Sequence, residues 1–192
     1  MPALILASTS PYRRALLDRL GVPFTARAPA CDEEALKDPA LAPQALAEAL
    51  AEAKARSIAD QVPQAVVIGS DQVCEVDGRI LGKPGTSERA VDQLLALQGR
   101  EHRLITAMTV IAPGTVHRHT DVTHLRMRPL DRAALERYVA RDQPLDCAGA
   151  YKLEAAGISL FTAIASEDAS AITGLPLLAL TRILSGLGFP LP

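Results

Sequence analysis

The sequence has no tryptophan, three tyrosines and three phenylalanines. With so few rings, a core has to be built from Ala, Leu, Val and Ile, and each aromatic set among polar residues stands out. Cysteine is scarce as well. Cys31, Cys74 and Cys147 are odd in number and form no C-x-x-C pair. That count speaks against a disulfide framework and against a structural zinc site, and it fits the reduced cytoplasm. A basic block is missing and the formal net charge is −2, so nothing points to non-specific nucleic-acid binding. Long hydrophobic runs are also lacking. No stretch approaches a membrane span, and the opening apolar run is short and ends in polar residues, unlike a signal peptide. These absences predict a soluble, cytoplasmic protein with neither nucleic acid nor membrane as partner.

What is there is enough for a sizeable core: 192 residues, 48% of them hydrophobic. That length predicts one domain spanning 1–192. Residues 4–7 read as a short buried strand. Ser10 can cap a helix that Pro11 begins, with Ala15, Leu16 and Leu20 at helical spacing and Gly21 as the stop. An acidic, proline-containing loop covers 27–43, and a second helix covers 44–60. Residues 65–68 form a continuous apolar run, as in a strand buried on both faces, and Asp77-Gly78 is a hairpin signal. Thr86 or Ser87 caps a helix ending near Gly99. Paired strands are predicted at 103–112 and 116–127, a helix capped by Asp131, a strand over 158–164 and a last helix over 176–184. The interleaving predicts an α/β fold with a mixed sheet and flanking helices.

Three groups of residues could carry chemistry. In "LASTSPYRR", Ser8, Ser10, Arg13 and Arg14 lie where a strand meets a helix. Free N–H groups, hydroxyls and a guanidinium there make an anion site, most naturally for phosphate; alternatively Ser10 only caps and both arginines are solvated. Asp71 in "IGSDQV" is expected at the C-terminal end of a buried strand, where open α/β sheets place ligands. It could hold a metal, deprotonate water, or simply cap the next turn. The third group is dispersed: Glu33 and Glu34 in "CDEE", Lys54 in "AEAKA" and Lys83 in "GKPG". Any one of these could be an ordinary solvated charge. Together with a phosphate-like site and a strand-end carboxylate they are more specific. His117 and His119 share a strand face but lack a third ligand, which favours a solvated hairpin. Cys147 has no evident base and reads as a small buried residue. There is no Walker A motif, dinucleotide fingerprint or calcium loop.

Taken together, "LASTSPYRR", "DEE", "AEAKA", "GSDQV", "GKP", "DCAGAYKLE" and "TGLPL" resemble the Maf family of nucleoside triphosphate pyrophosphatases, in the family's order over nearly the whole chain. More narrowly the chain is similar to the YceF-type branch, which hydrolyses 7-methylguanosine triphosphate, through Tyr12, Gln72 and Glu154. A tryptophan is frequent in that branch where Tyr12 stands. The resemblance implies two lobes around an elongated nucleotide-binding cleft, a divalent metal (Mg²⁺ or Mn²⁺) and frequent homodimers. It places Ser8, Ser10 and Arg13 on the phosphates and Tyr12, Gln72 and Glu154 at the base. Asp71 would be the general base, Glu33 and Asp71 the metal carboxylates, and Lys54 and Lys83 the cations that offset phosphoryl charge. Two other readings remain open: a pyrophosphatase for dTTP, UTP or other non-canonical nucleotides, and a nucleotide-sensing regulator of cell division that does not hydrolyse.

Overall fold

The computed structural model describes residues 2–38 and 40–191. Pro39, in the predicted acidic loop, lies outside the described residues. In chain order the elements are β1 Leu4–Ala7, α1 Pro11–Asp18, β2 Thr25–Arg27, α2 Pro43–Ala59, β3 Val66–Val76, β4 Arg79–Leu81, α3 Ser87–Leu97, β5 Glu101–Ala112, β6 Thr115–Met127, α4 Arg132–Asp142, β7 Phe161–Ala165 and α5 Leu177–Gly186. The strands form one seven-stranded sheet in the order β2-β1-β3-β5-β6-β7, with β4 paired to β3. β1 runs parallel to β2 and β3, while β4 and β7 run antiparallel to their partners. The sheet is therefore mixed, as the hairpin signals in the sequence predict.

The chain divides into two compact units. One holds the residues up to Asp71, Thr106–Asp121 and the chain from Asp168 onward; the other holds Gln72–Ile105 and Val122–Glu167. In the first unit, side chains alternate across β1 and β3 as the two-residue strand period requires. Leu4, Leu6, Val66 and Ile68 join Leu16 and Leu17 of α1 and Leu180 and Leu184 of α5 in one core cluster. Ile5, Ala7 and Val67 join Ala55 and Ile58 of α2 in another. Strand residues of even and odd number thus face different helices. α2 comes very close: a Cβ on Gly69 would stand 2.3 Å from the Ala51 carbonyl oxygen and 2.6 Å from the Ala55 nitrogen. The run of alanines at 47, 51 and 55, all buried, is what lets a helix lie against a strand at that range. Fully burying a Val or Leu there would be worth about 1.5–3 kcal/mol relative to leaving it exposed, but it would hold the helix away.

In the second unit, α3 packs on α4. Thr86 and Asp131 cap these helices, each accepting a hydrogen bond from a backbone N–H in the first turn. Asp77 and Gly78 both take positive φ, 48° and 79°, which turns β3 into β4. Two of the scarce aromatic rings, Tyr151 and Phe161, meet here beside His102. His102 donates to or accepts from the Tyr151 hydroxyl at 3.0 Å, and Phe161 stacks edge-on against Tyr151 with centroids 4.9 Å apart.

Two expectations need correction. The strand predicted at 158–164 begins only at Phe161, because 156–160 is a 3₁₀ turn. A tight local turn precedes it. Gly157 lies so close to Lys152 that a Cβ would stand 2.3 Å from the Lys152 carbonyl oxygen, and its N–H donates to that oxygen at 3.0 Å. Asp71 is not at a strand end either, since β3 continues through the polar residues 70–72 to Val76. β1 pairs with Val66–Ile68 and β4 with Cys74–Val76. Asp71 lies between those two pairings. A strand can carry Ser70 and Asp71 through its middle because both side chains find polar partners.

Candidate active site

The first unit brings Asp71, Lys54, Glu33 and Arg13 together. Asp71 is 9% exposed and Lys54 6%, so both charges are largely withdrawn from water. Being odd-numbered in β3, Asp71 faces α2, and Lys54 of α2 meets it. The Lys54 ammonium donates to Asp71 Oδ1 at 2.6 Å and lies 3.0 Å from Glu33 Oε2. A buried charge has to be paired, and here one ammonium pairs with two carboxylates. Glu33, in the acidic loop, is the more exposed partner. Glu34 points its charge elsewhere, to Lys37. The hydrogen bond from Lys54 engages Asp71 Oδ1, so Oδ2 is the atom left for a proton.

The strand-to-helix junction folds as the sequence predicts. Ser8, buried, accepts a hydrogen bond from the Ser10 N–H at 3.1 Å, and Ser10 caps α1 by accepting from the Arg13 N–H at 3.4 Å. The Arg13 side chain turns inward. Its Nε donates to the Gly174 carbonyl at 2.9 Å. Burial lowers the guanidinium's pKa, while the charges of Asp71 and Glu33 act to raise it. A guanidinium held at Nε keeps both terminal nitrogens for a ligand. Arg14 is exposed and Tyr12 half-buried. A helix N-terminus, an inward arginine and a carboxylate-ammonium cluster in one unit are suited to a phosphate and to the cation that accompanies it.

Lys83, Gln72 and Glu154 belong to the second unit. Lys83 and Glu154 are exposed and Gln72 is half-buried. The segment before Glu154 is held by the Tyr138 hydroxyl, which accepts from the Lys152 N–H at 2.9 Å. Burial and the adjacent Asp146 push the half-buried Cys147 thiol up to about 12, which suits an inert residue and not a nucleophile. Cys74 is likewise raised to about 12, by burial. His117 and His119 are half-buried. Among the described residues no group of three or more His, Cys, Asp or Glu side chains is placed to hold a metal ion.

Sequence reasoning missed two residues of this site. Ser70, fully buried, places its hydroxyl 2.8 Å from the Ala107 carbonyl and 2.9 Å from the Gly174 carbonyl. Gly174, with φ 109°, supplies the oxygen that orients Arg13. "TGLPL" enters the sequence reading only as a matching motif with no assigned role. A glycine before a helix-opening Pro-Leu pair signals a sharp turn, and nothing more local marks its partner.

The first unit thus sets a paired carboxylate beside a capped helix and an inward arginine, an arrangement of the kind that suits phosphate. The chain is a member of the Maf-like protein family, whose model matches residues 3–187. Relatives named 7-methyl-GTP pyrophosphatase include one from Bdellovibrio bacteriovorus, 52% identical over 94% of this chain and 95% of its own. Another, from Xanthomonas campestris pv. campestris, is 51% identical over the full length of both. A third, from Burkholderia orbicola, is 47% identical over 99% of this chain and 92% of its own. Among solved structures, the nucleoside-triphosphatase / dITP/XTP pyrophosphatase of Mycobacterium abscessus matches with a TM-score of 0.44 at 17% identity, over 67% of this chain and 75% of that one. No helix among the described residues is long and apolar enough to cross a membrane.

Proposed function

We propose that this protein hydrolyses 7-methyl-GTP at the bond between the α- and β-phosphates, giving 7-methyl-GMP and pyrophosphate. The observation that carries the reading is the buried Asp71 carboxylate, gripped by Lys54 on one oxygen and facing the charge of Arg13. The full-length relatives supply the substrate by analogy. Asp71 takes a proton from the attacking water at Oδ2, a role worth roughly 10²–10⁴-fold when the base is well positioned. Arg13 offers its terminal nitrogens to a phosphate oxygen, and Lys83 adds a second cation. Lys54 holds Asp71 in place and carries a positive charge next to the reacting group. Ser8 and Ser10 build the turn that presents the α1 N–H groups to the triphosphate.

Mg²⁺ or Mn²⁺ belongs to the same reading. Glu33 and Asp71 already converge on one cationic atom, Lys54 Nζ. Two carboxylates completed by phosphate oxygens and water are the donor set that a hard, hydrated cation takes. These two residues would hold the metal, which when bound offsets negative charge on the phosphates. At the base, Tyr12 offers an electron-rich face to a positively charged methylated purine. Glu154 offers a bidentate acceptor to the Watson–Crick N–H groups, with Gln72 as a further donor or acceptor. The same reading takes 1–192 as one functional domain acting in the cytoplasm on a small nucleotide, with neither nucleic acid nor membrane as partner, and includes a homodimer. The test is pyrophosphate release from 7-methyl-GTP, GTP, dTTP and UTP, with metal and with metal plus chelator. The highest kcat/KM is expected on 7-methyl-GTP, abolished by chelator. A preference for dTTP or UTP, or no release from any of the four, overturns the reading.

A further inference from the structure

We infer that Ser70 is a positioning residue of this reaction: by pinning the Gly174 carbonyl to β3, it fixes the Arg13 guanidinium that meets the phosphates. Ser70 and Asp71 are consecutive and so face opposite sides of the strand. Asp71 meets α2, and Ser70 meets the turn before α5. Its hydroxyl lies 2.9 Å from the same Gly174 oxygen that accepts from Arg13 Nε at 2.9 Å. A carbonyl oxygen has two lone pairs and can take both donors. The proton of Ser70 is shared with the Ala107 carbonyl at 2.8 Å, and this ties the turn to β5 as well as to β3.

The rest of that turn is anchored without Ser70. Asp168 accepts from the N–H groups of Ser170 at 2.9 Å and Leu178 at 2.7 Å, and the Ser170 hydroxyl accepts from the Leu177 N–H at 2.8 Å. Thr106 donates to the Ala171 carbonyl at 2.9 Å. These bonds hold the two flanks of the turn. Gly174 stands at the tip, and a Cβ there would come within 3.2 Å of Arg13 Nε. The tip and the arginine are thus in direct register, and Ser70 is what ties the tip to the strand that carries Asp71. Losing it frees the guanidinium to shift relative to the carboxylate without unfolding the site.

The inference rests on the phosphate role of Arg13 proposed above, and a double-mutant cycle separates the two. Wild type, Ser70→Ala, Arg13→Ala and the double variant are compared by kcat/KM for pyrophosphate release from 7-methyl-GTP, with thermal melts alongside. Ser70→Ala is expected to lose about tenfold in the wild-type background. It should lose less than about twofold in the Arg13→Ala background, because its effect runs through that side chain. A merely structural role lowers the active fraction, and the same fold loss then appears in both backgrounds; that result overturns the inference. An Arg13→Ala variant as active as wild type overturns the phosphate role beneath it. If Ser70→Ala melts well below wild type, Ser70→Cys, near in volume and a weaker donor, runs the same cycle. Equal losses in its two backgrounds again overturn the inference.

Discussion

Substituting Gly69 with alanine tests how the site is assembled, because one methyl group there confronts backbone on the opposite side. The new Cβ would stand 2.3 Å from the Ala51 carbonyl oxygen, 2.6 Å from the Ala55 nitrogen and 2.9 Å from the Ala55 Cβ. None of these atoms ends a flexible side chain, so α2 as a whole has to retreat. Moving from 2.3 Å to an ordinary contact of 3.4 Å takes about 1 Å. Overpacking of this kind commonly costs about 1–3 kcal/mol. The retreat carries Lys54 with it, since Lys54 precedes Ala55 on that helix, and opens the 2.6 Å bond to Asp71 Oδ1. A displacement of about 1 Å in a positioned group costs roughly 10²-fold in rate. The expected Gly69→Ala protein is therefore folded, lower in melting temperature and about 10²-fold slower in pyrophosphate release. Circular dichroism melts and steady-state kinetics on one preparation give both numbers. A variant that melts with wild type and keeps its kcat would refute the close approach of α2 as the device that seats Lys54.

Asp71→Asn keeps the shape of the side chain and removes the basic oxygen; kcat should fall by roughly 10²-fold or more, the protein should stay folded but melt lower because buried Lys54 keeps only Glu33 as its carboxylate partner, and a folded variant with near-normal kcat would remove Asp71 from the role of base. Glu33→Ala should raise the metal concentration needed for half-maximal activity, and an unchanged titration would take Glu33 out of the metal site. Acid should weaken the fold through His102. Burial lowers its pKa from 6.5 to about 4, so between those values the unfolded chain binds the extra proton and stability falls as pH falls. His102→Gln should show a shallower loss of melting temperature over pH 6.5 to 4, and identical slopes for the two proteins would contradict this.

Much of the fold can be read locally in the sequence. Ser10-Pro11, Thr86 and Asp131 mark helix starts because capping is satisfied within three residues, and Asp77-Gly78 marks its hairpin through conformations those two residues tolerate. Strand limits are less legible: 156–160 is a 3₁₀ turn that follows a backbone bond from the Gly157 N–H to the Lys152 carbonyl, and residues 158–160 carry no mark of it. The same divide runs through the site. Asp71 stands out as a carboxylate after an apolar run. Ser70, its neighbour, looks like any serine, because its partner Gly174 is 104 residues away, and Arg13 is 161 residues from that same glycine. Gly69 goes unmarked in the sequence, and only the folded chain shows that the backbone lying against it is the one bearing Lys54.

Two carboxylates set this near each other would repel if left alone. Lys54 stands between Glu33 and Asp71, so the chain carries the counter-ion for this pair within itself. A newly synthesised copy can thus bring both carboxylates together without drawing a cation from solution, and the pocket's charge balance is written into the polypeptide.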